Sequence, residues 1–229
     1  MQNGDVMPFE PAIPPALADL GVTRLAALPS DCGNETMPGT DESPRNRDWS
    51  ERPTTRDQKR IEDFIAPLLQ KGSRLLHVGI GNSLLARRFS GQVAAIAGAT
   101  IARAELDHAQ TLCLQDYTVH LANKYARSFV KIGHGFDFII DNNPTTFACC
   151  RIHFFRMMAS YQAMLAPGGM IVTDRAGLAH LASDNPALER WRFSPDDWLA
   201  LARTLDMTAV AQGADVLTMQ KLGLAKIGG

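Results

Sequence analysis

The sequence predicts an α/β fold, a doubly wound and mostly parallel seven-stranded sheet finished by an antiparallel hairpin. Three observations predict it. An apolar run ends in a glycine turn and a helix start over Ser73-Arg-Leu-Leu-His77-Val-Gly79-Ile-Gly81-Asn82-Ser83-Leu84. Strand-sized and helix-sized apolar runs then alternate as far as Asp174. Such alternation gives parallel strands joined by right-handed helical crossovers. Finally, two short β-rich runs flank Gln212-Gly213 near the end of the chain, the pattern of a hairpin.

The elements follow in order. Thr54-Thr55 caps a helix over residues 56–70, with Ile61, Phe64, Ile65, Leu68 and Leu69 along one face. The first strand covers residues 75–78. Asn82 or Ser83 caps the helix 83–89 behind it. A second strand over 93–97 is followed by a helix over 101–114, and a third strand spans 117–121. The fourth strand is 136–141, and a long helix from about 147 to 165 ends at Pro167-Gly168-Gly169. The fifth strand is 170–173. A helix over 195–205 then leads into the hairpin, with strands over 207–211 and 216–220.

Residues 1–55 have a different character. Eight of the thirteen prolines fall there. Proline fixes φ and removes a donor, so this arm is expected to be largely irregular, with one short helix near residues 15–27. Either it is a disordered leader or it packs over a ligand cleft with Trp49 as its anchor. Residues 56–229 form the globular domain.

The whole chain, 229 residues and 45% hydrophobic with a net charge of −1, can bury a full core in one domain. A basic stripe is missing, which argues against nucleic acid. No apolar run spans a bilayer, and no basic-then-apolar leader opens the sequence, so a cytoplasmic protein is expected. Cys32, Cys113, Cys149 and Cys150 show no familiar metal spacing and read as buried reduced thiols, with no metal site expected. A homodimer is left open.

A strand-turn-helix with two glycines is where open α/β sheets bind nucleotide-like cofactors, phosphate-side groups lying over the helix start. A dinucleotide fingerprint needs glycine or alanine at the sixth position, where this chain has Leu84. The segment instead resembles motif I of the class I, Rossmann-like S-adenosylmethionine-dependent methyltransferases, roughly acid-x-G-x-G-x-G. Aligned on its glycines, His77 stands where that family has an acid and Ser83 where it has a third glycine. Leu165-Ala-Pro167-Gly168-Gly169 resembles the turn before the family's fifth strand. Gly135-Phe-Asp-Phe-Ile-Ile-Asp141-Asn142-Asn143-Pro144 resembles its motif IV.

The resemblance implies S-adenosylmethionine as cofactor and methyl transfer to a small-molecule acceptor. It implies cofactor contacts from His77, Gly79, Gly81, Asn82, Ser83, Asp141 and Asn142. The family ends its second strand with an acid for the ribose hydroxyls; here Gly98 and Thr100 take that place, with no carboxylate before Glu105. Asn123 stands where an acceptor for the adenine amine is expected. A histidine at position 77 would titrate near neutral pH. Trp49, Asn143 and Arg151 are the substrate-side candidates. His153 is the candidate base, although in-line methyl transfer to a deprotonated nucleophile needs none. Two other readings stay open: different chemistry on the same fold, such as aminopropyl transfer, and a catalytically silent binding subunit.

Overall fold

The computed structural model describes residues 49–181 and 186–222. The helix expected near residues 15–27 and Cys32 lie outside them.

Helix α1 (Arg56–Ile65) starts where Thr55 accepts a hydrogen bond from the Gln58 backbone N–H. It stops earlier than residue 70 because Pro67 has no N–H to continue the ladder, and a 3₁₀ turn over Ala66–Leu68 follows. Strand β1 (Arg74–Val78) is buried from Leu75 onward. Helix α2 (Leu84–Phe89) leads to β2 (Ala95–Thr100), and α3 (Arg103–Thr111) to β3 (Tyr117–Leu121). The second strand runs to residue 100, not 97, because Gly98 and Ala99 still pair with His77 and Val78, and Thr100 with Leu121. After β4 (Phe136–Asp141) comes α4 (Arg151–Met164), which begins four residues later than expected. Phe147 has a φ of 65°, a left-handed conformation that excludes it from a right-handed helix. Strand β5 (Leu165–Asp174), the single turn α5 (Arg175–Leu178), α6 (Pro195–Thr204), β6 (Met207–Gln212) and β7 (Val216–Lys221) complete the order.

The strands lie in the order β3-β2-β1-β4-β5-β7-β6. All neighbours are parallel except β7, which runs antiparallel to both β5 and β6. This is the doubly wound sheet with terminal hairpin that the residue pattern predicts. Successive strand residues face opposite sides. Leu75, Ile96, Phe138, Ile140 and Val172 pack with Ile61 and Ile65 of α1 and Leu85 and Phe89 of α2. Leu76, Val78, Ile139 and Ile171 pack on the other face, where α4 brings Phe154, Phe155 and Tyr161 and α6 brings Trp198. Fully burying each of these large side chains contributes on the order of 2 kcal/mol. Among the described residues, no helix is long and apolar enough to cross a membrane.

Candidate functional site

The strand order reverses direction at β1, which has β2 on one side and β4 on the other. In open α/β sheets, the crevice beyond the carboxyl ends of strands at such a reversal is where ligands bind. Three residues past β1 are left-handed: Gly79 at φ 76°, Gly81 at 49° and Ser83 at 57°. Glycine adopts this conformation freely, while serine does so at a cost of about 1 kcal/mol. Ser83 thus keeps the backbone that its alignment to a glycine implies. Its buried hydroxyl is hydrogen-bonded to the Tyr117 hydroxyl at 3.0 Å. A side chain on Gly79 would meet nothing within 4 Å, so space lies open above the turn. One on Gly81 would lie 3.6 Å from Cβ of Trp49.

Of the two expected caps, Asn82 is the one that acts. Its Oδ1 accepts the Leu84 N–H at 3.0 Å, and its Nδ2 donates to the Arg52 carbonyl. The last residues of the N-terminal arm are thereby tied to the turn. The Arg52 guanidinium lies 4.5 Å from the centroid of the Trp49 ring.

Beneath the turn, His77 is buried between β2 and β4, and its Nδ1 has no hydrogen-bond partner. Burial lowers its pKa to about 4, so it stays neutral at physiological pH instead of titrating there. At the end of β2, Gly98 is covered: a Cβ there would meet Ile80 and the Tyr117 ring at 2.8–2.9 Å. The Thr100 hydroxyl donates to the Glu105 carboxylate at 2.6 Å and accepts from the Ala102 N–H at 3.0 Å. A buried carboxylate therefore does reach this end of β2, from the first turn of α3.

The end of β4 is a closed network. Asp141 accepts from Lys124 Nζ at 2.9 Å, from the Tyr161 hydroxyl at 2.7 Å and from the Asn143 N–H at 3.1 Å. Lys124 also donates to the Asn143 carbonyl at 2.7 Å. Desolvation lowers the Lys124 pKa against the raising pull of Asp141, and burial raises that of Tyr161 well above the usual range. Asn142 points to the opposite face, donating to Asp57 of α1 at 2.7 Å. Burial pushes the Asp57 carboxyl up, but hydrogen bonds from Thr55, Asn142 and the backbone outweigh it and hold it below the ordinary range.

The other expected residues are dispersed. Asn123 folds its Oδ1 back onto the Tyr125 N–H at 2.9 Å. Arg151 opens α4, and Trp49 is 39% exposed beside the glycine turn. Asp174 is fully buried and gripped by Arg60 through two hydrogen bonds of 2.7 and 2.8 Å. His153 is buried with Nδ1 facing the sulfurs of Cys149 and Cys150. One expectation about the cysteines is corrected: Cys113 is exposed rather than buried. Cys149, Cys150 and His153 bring ligand atoms within 4.8 Å of one another. Cys149 and the extended Cys150 stand just before α4, and His153 in its first turn meets both sulfurs.

No protein-family model matches the chain, and no curated protein is significantly similar to it in sequence. Solved structures are similar to it in shape. The N-methyltransferase NodS from Bradyrhizobium japonicum, in complex with S-adenosyl-L-homocysteine, superimposes with a TM-score of 0.55 at 14% identity, over 79% of this chain and 95% of that one. A methyltransferase-like chain from Haloferax volcanii, in complex with the Trm112 methyltransferase activator, gives 0.56 at 11% identity, over 78% and 92%. The fold is the class I methyltransferase fold.

Proposed function

We propose that this chain transfers the methyl group of S-adenosylmethionine to a small-molecule acceptor. The glycine turn carries the reading. Left-handed residues at 79, 81 and 83, with open space over Gly79, let backbone approach a ligand at the point where the strand order reverses. The neighbour NodS, which has S-adenosyl-L-homocysteine bound, supports the choice of cofactor.

The turn residues Gly79, Gly81 and Asn82 would hold the cofactor, with Glu105 supplying a carboxylate from behind Thr100 in place of a strand-end acid. The unpartnered Nδ1 of His77 is the kind of buried polar atom that a ligand or an ordered water satisfies. When bound, the cofactor supplies a methyl group on a sulfonium, transferred by in-line displacement. The protein then has mainly to position the acceptor and exclude water. Asn143 and Arg151 border the acceptor side, and Trp49 with Arg52 covers the turn as the end of a lid.

A second reading, a silent binding subunit, draws on Asp141 being committed to Lys124 and Tyr161. Calorimetric titration of the full chain with S-adenosylmethionine and S-adenosylhomocysteine decides between silence at this site and cofactor binding. Both are expected to bind; a folded sample that binds neither overturns the enzyme reading. Gly81→Val should abolish binding, since a β-branched residue is strained on the left-handed backbone at φ 49° and would distort the turn, while circular dichroism confirms the fold.

A further inference from the structure

The loop from β4 to α4 holds a cluster for which methyl transfer has no use. Sγ of Cys149 and Sγ of Cys150 each lie 3.2 Å from Nδ1 of His153, and 3.9 Å from each other. Zinc bonded to two thiolates and one imidazole at tetrahedral angles would set the S···S distance near ~3.8 Å and each S···N distance near ~3.6 Å. To match that triangle, the two S···N sides open by about 0.4 Å and the S···S side closes by about 0.1 Å.

Hydrogen bonding accounts for the arrangement less well. A neutral imidazole nitrogen offers either one N–H or one lone pair, and this one faces two sulfurs at equal distance. A cation on the face of the triangle bonds all three atoms at once. Neither cysteine is in a disulfide.

We propose that Cys149, Cys150 and His153 form a three-ligand site for Zn²⁺, with its fourth position taken by an exchangeable water or thiol. Soft sulfur with imidazole selects zinc over magnesium or calcium, and three protein ligands characterise an open zinc centre. On binding, the two thiols release two protons to solvent and form two Zn–S bonds, while neutral His153 donates its Nδ1 lone pair. Two thiolates and one dication sum to zero charge. That balance suits a site where Cys150 is 0% and His153 1% exposed. Half-buried Cys149 gives the ion its way in.

The test is cobalt substitution. The full-length protein, reduced and stripped with chelator, is titrated with Co²⁺ under inert gas and followed by absorbance. One equivalent should produce a thiolate-to-cobalt charge-transfer band with intense tetrahedral visible bands, and Zn²⁺ should bleach both. Cys149→Ser, a near-isosteric change, should weaken binding by at least ~100-fold, beyond what losing an outer hydrogen-bond partner costs. Cys113→Ser, at the exposed cysteine, should leave it unchanged. Should His153→Ala fail to fold, Cys149→Ser and Cys150→Ser still decide. A folded wild type without the charge-transfer band, or a band that survives both serine substitutions, overturns the proposal.

Discussion

The carboxyl ends of β1 and β4 are neighbours in the sheet, yet they are built by opposite means. Past β1 the working surface is backbone: left-handed residues, space over Gly79, and a cap from Asn82. Past β4 it is side chain: Lys124 and the Tyr161 hydroxyl both donate to Oδ2 of Asp141, whose charge is thereby compensated. The difference teaches where a ligand can be received. Backbone at β1 can be approached, whereas charge at β4 is already compensated. A buried pair of this kind holds the crevice wall in shape rather than reaching out from it.

The comparison can be broken most forcefully at β4. Lys124→Met strands a buried carboxylate and should cost about 3–5 kcal/mol in urea unfolding. Adding Asp141→Asn should recover much of that loss, because the stranded charge is gone. If Lys124→Met unfolds like the wild type, the network is not a compensated charge pair.

At β1 the effect is smaller and depends on pH. His77 is pushed down to about 4 when folded, against 6.5 unperturbed. Above pH 6.5 neither state takes the proton, so its contribution is fully present. As pH falls from 6.5 to about 4 only the unfolded chain binds the proton, and roughly 3 kcal/mol of stability is lost. Stability measured across that window should therefore fall less for His77→Gln than for the wild type; an identical slope would show that the imidazole is not held neutral.

Smallest is Ser83→Ala. It keeps the left-handed strain and removes the hydrogen bond to Tyr117, so a loss of about 1 kcal/mol is expected in the same unfolding experiment. No loss would mean that the hydroxyl pair contributes nothing to fixing the turn.

The difference between the two ends also explains how much could be read from the residues. The turn was legible because positive φ demands glycine, and even Ser83 could be placed by alignment to one. The alternation of strands and helices and the terminal hairpin were legible because apolar runs of strand and helix length carry their own period. The Lys124–Asp141–Tyr161 network was not, since its members lie 17 and 20 residues apart and meet only once β3, β4 and α4 have packed. Lys124 adjoins Asn123, a position the resemblance pointed to, but nothing local says which neighbour reaches the carboxylate. Glu105 was noted as the first carboxylate after the second strand; its bond to Thr100 depends on α3 starting at residue 103 rather than 101. The Cys149-Cys150-x-x-His153 spacing did carry a signal. Two sulfurs three and four residues before a histidine can meet it where a loop enters a helix, and the pattern was passed over because metal pairs are usually sought as Cys-x-x-Cys.

The position of Trp49 has an optical consequence. The chain has three tryptophans, of which Trp191 and Trp198 are 3% and 0% exposed in the apolar core. Trp49 alone combines substantial exposure with a seat against Gly81 and a guanidinium on its ring. Its emission should be the red-shifted part of the protein's fluorescence and the part that an aqueous quencher such as acrylamide reaches first. The molecule thus carries its own reporter beside the glycine turn: occupation of that turn should shield the lamp nearest to it while the two core indoles shine unchanged.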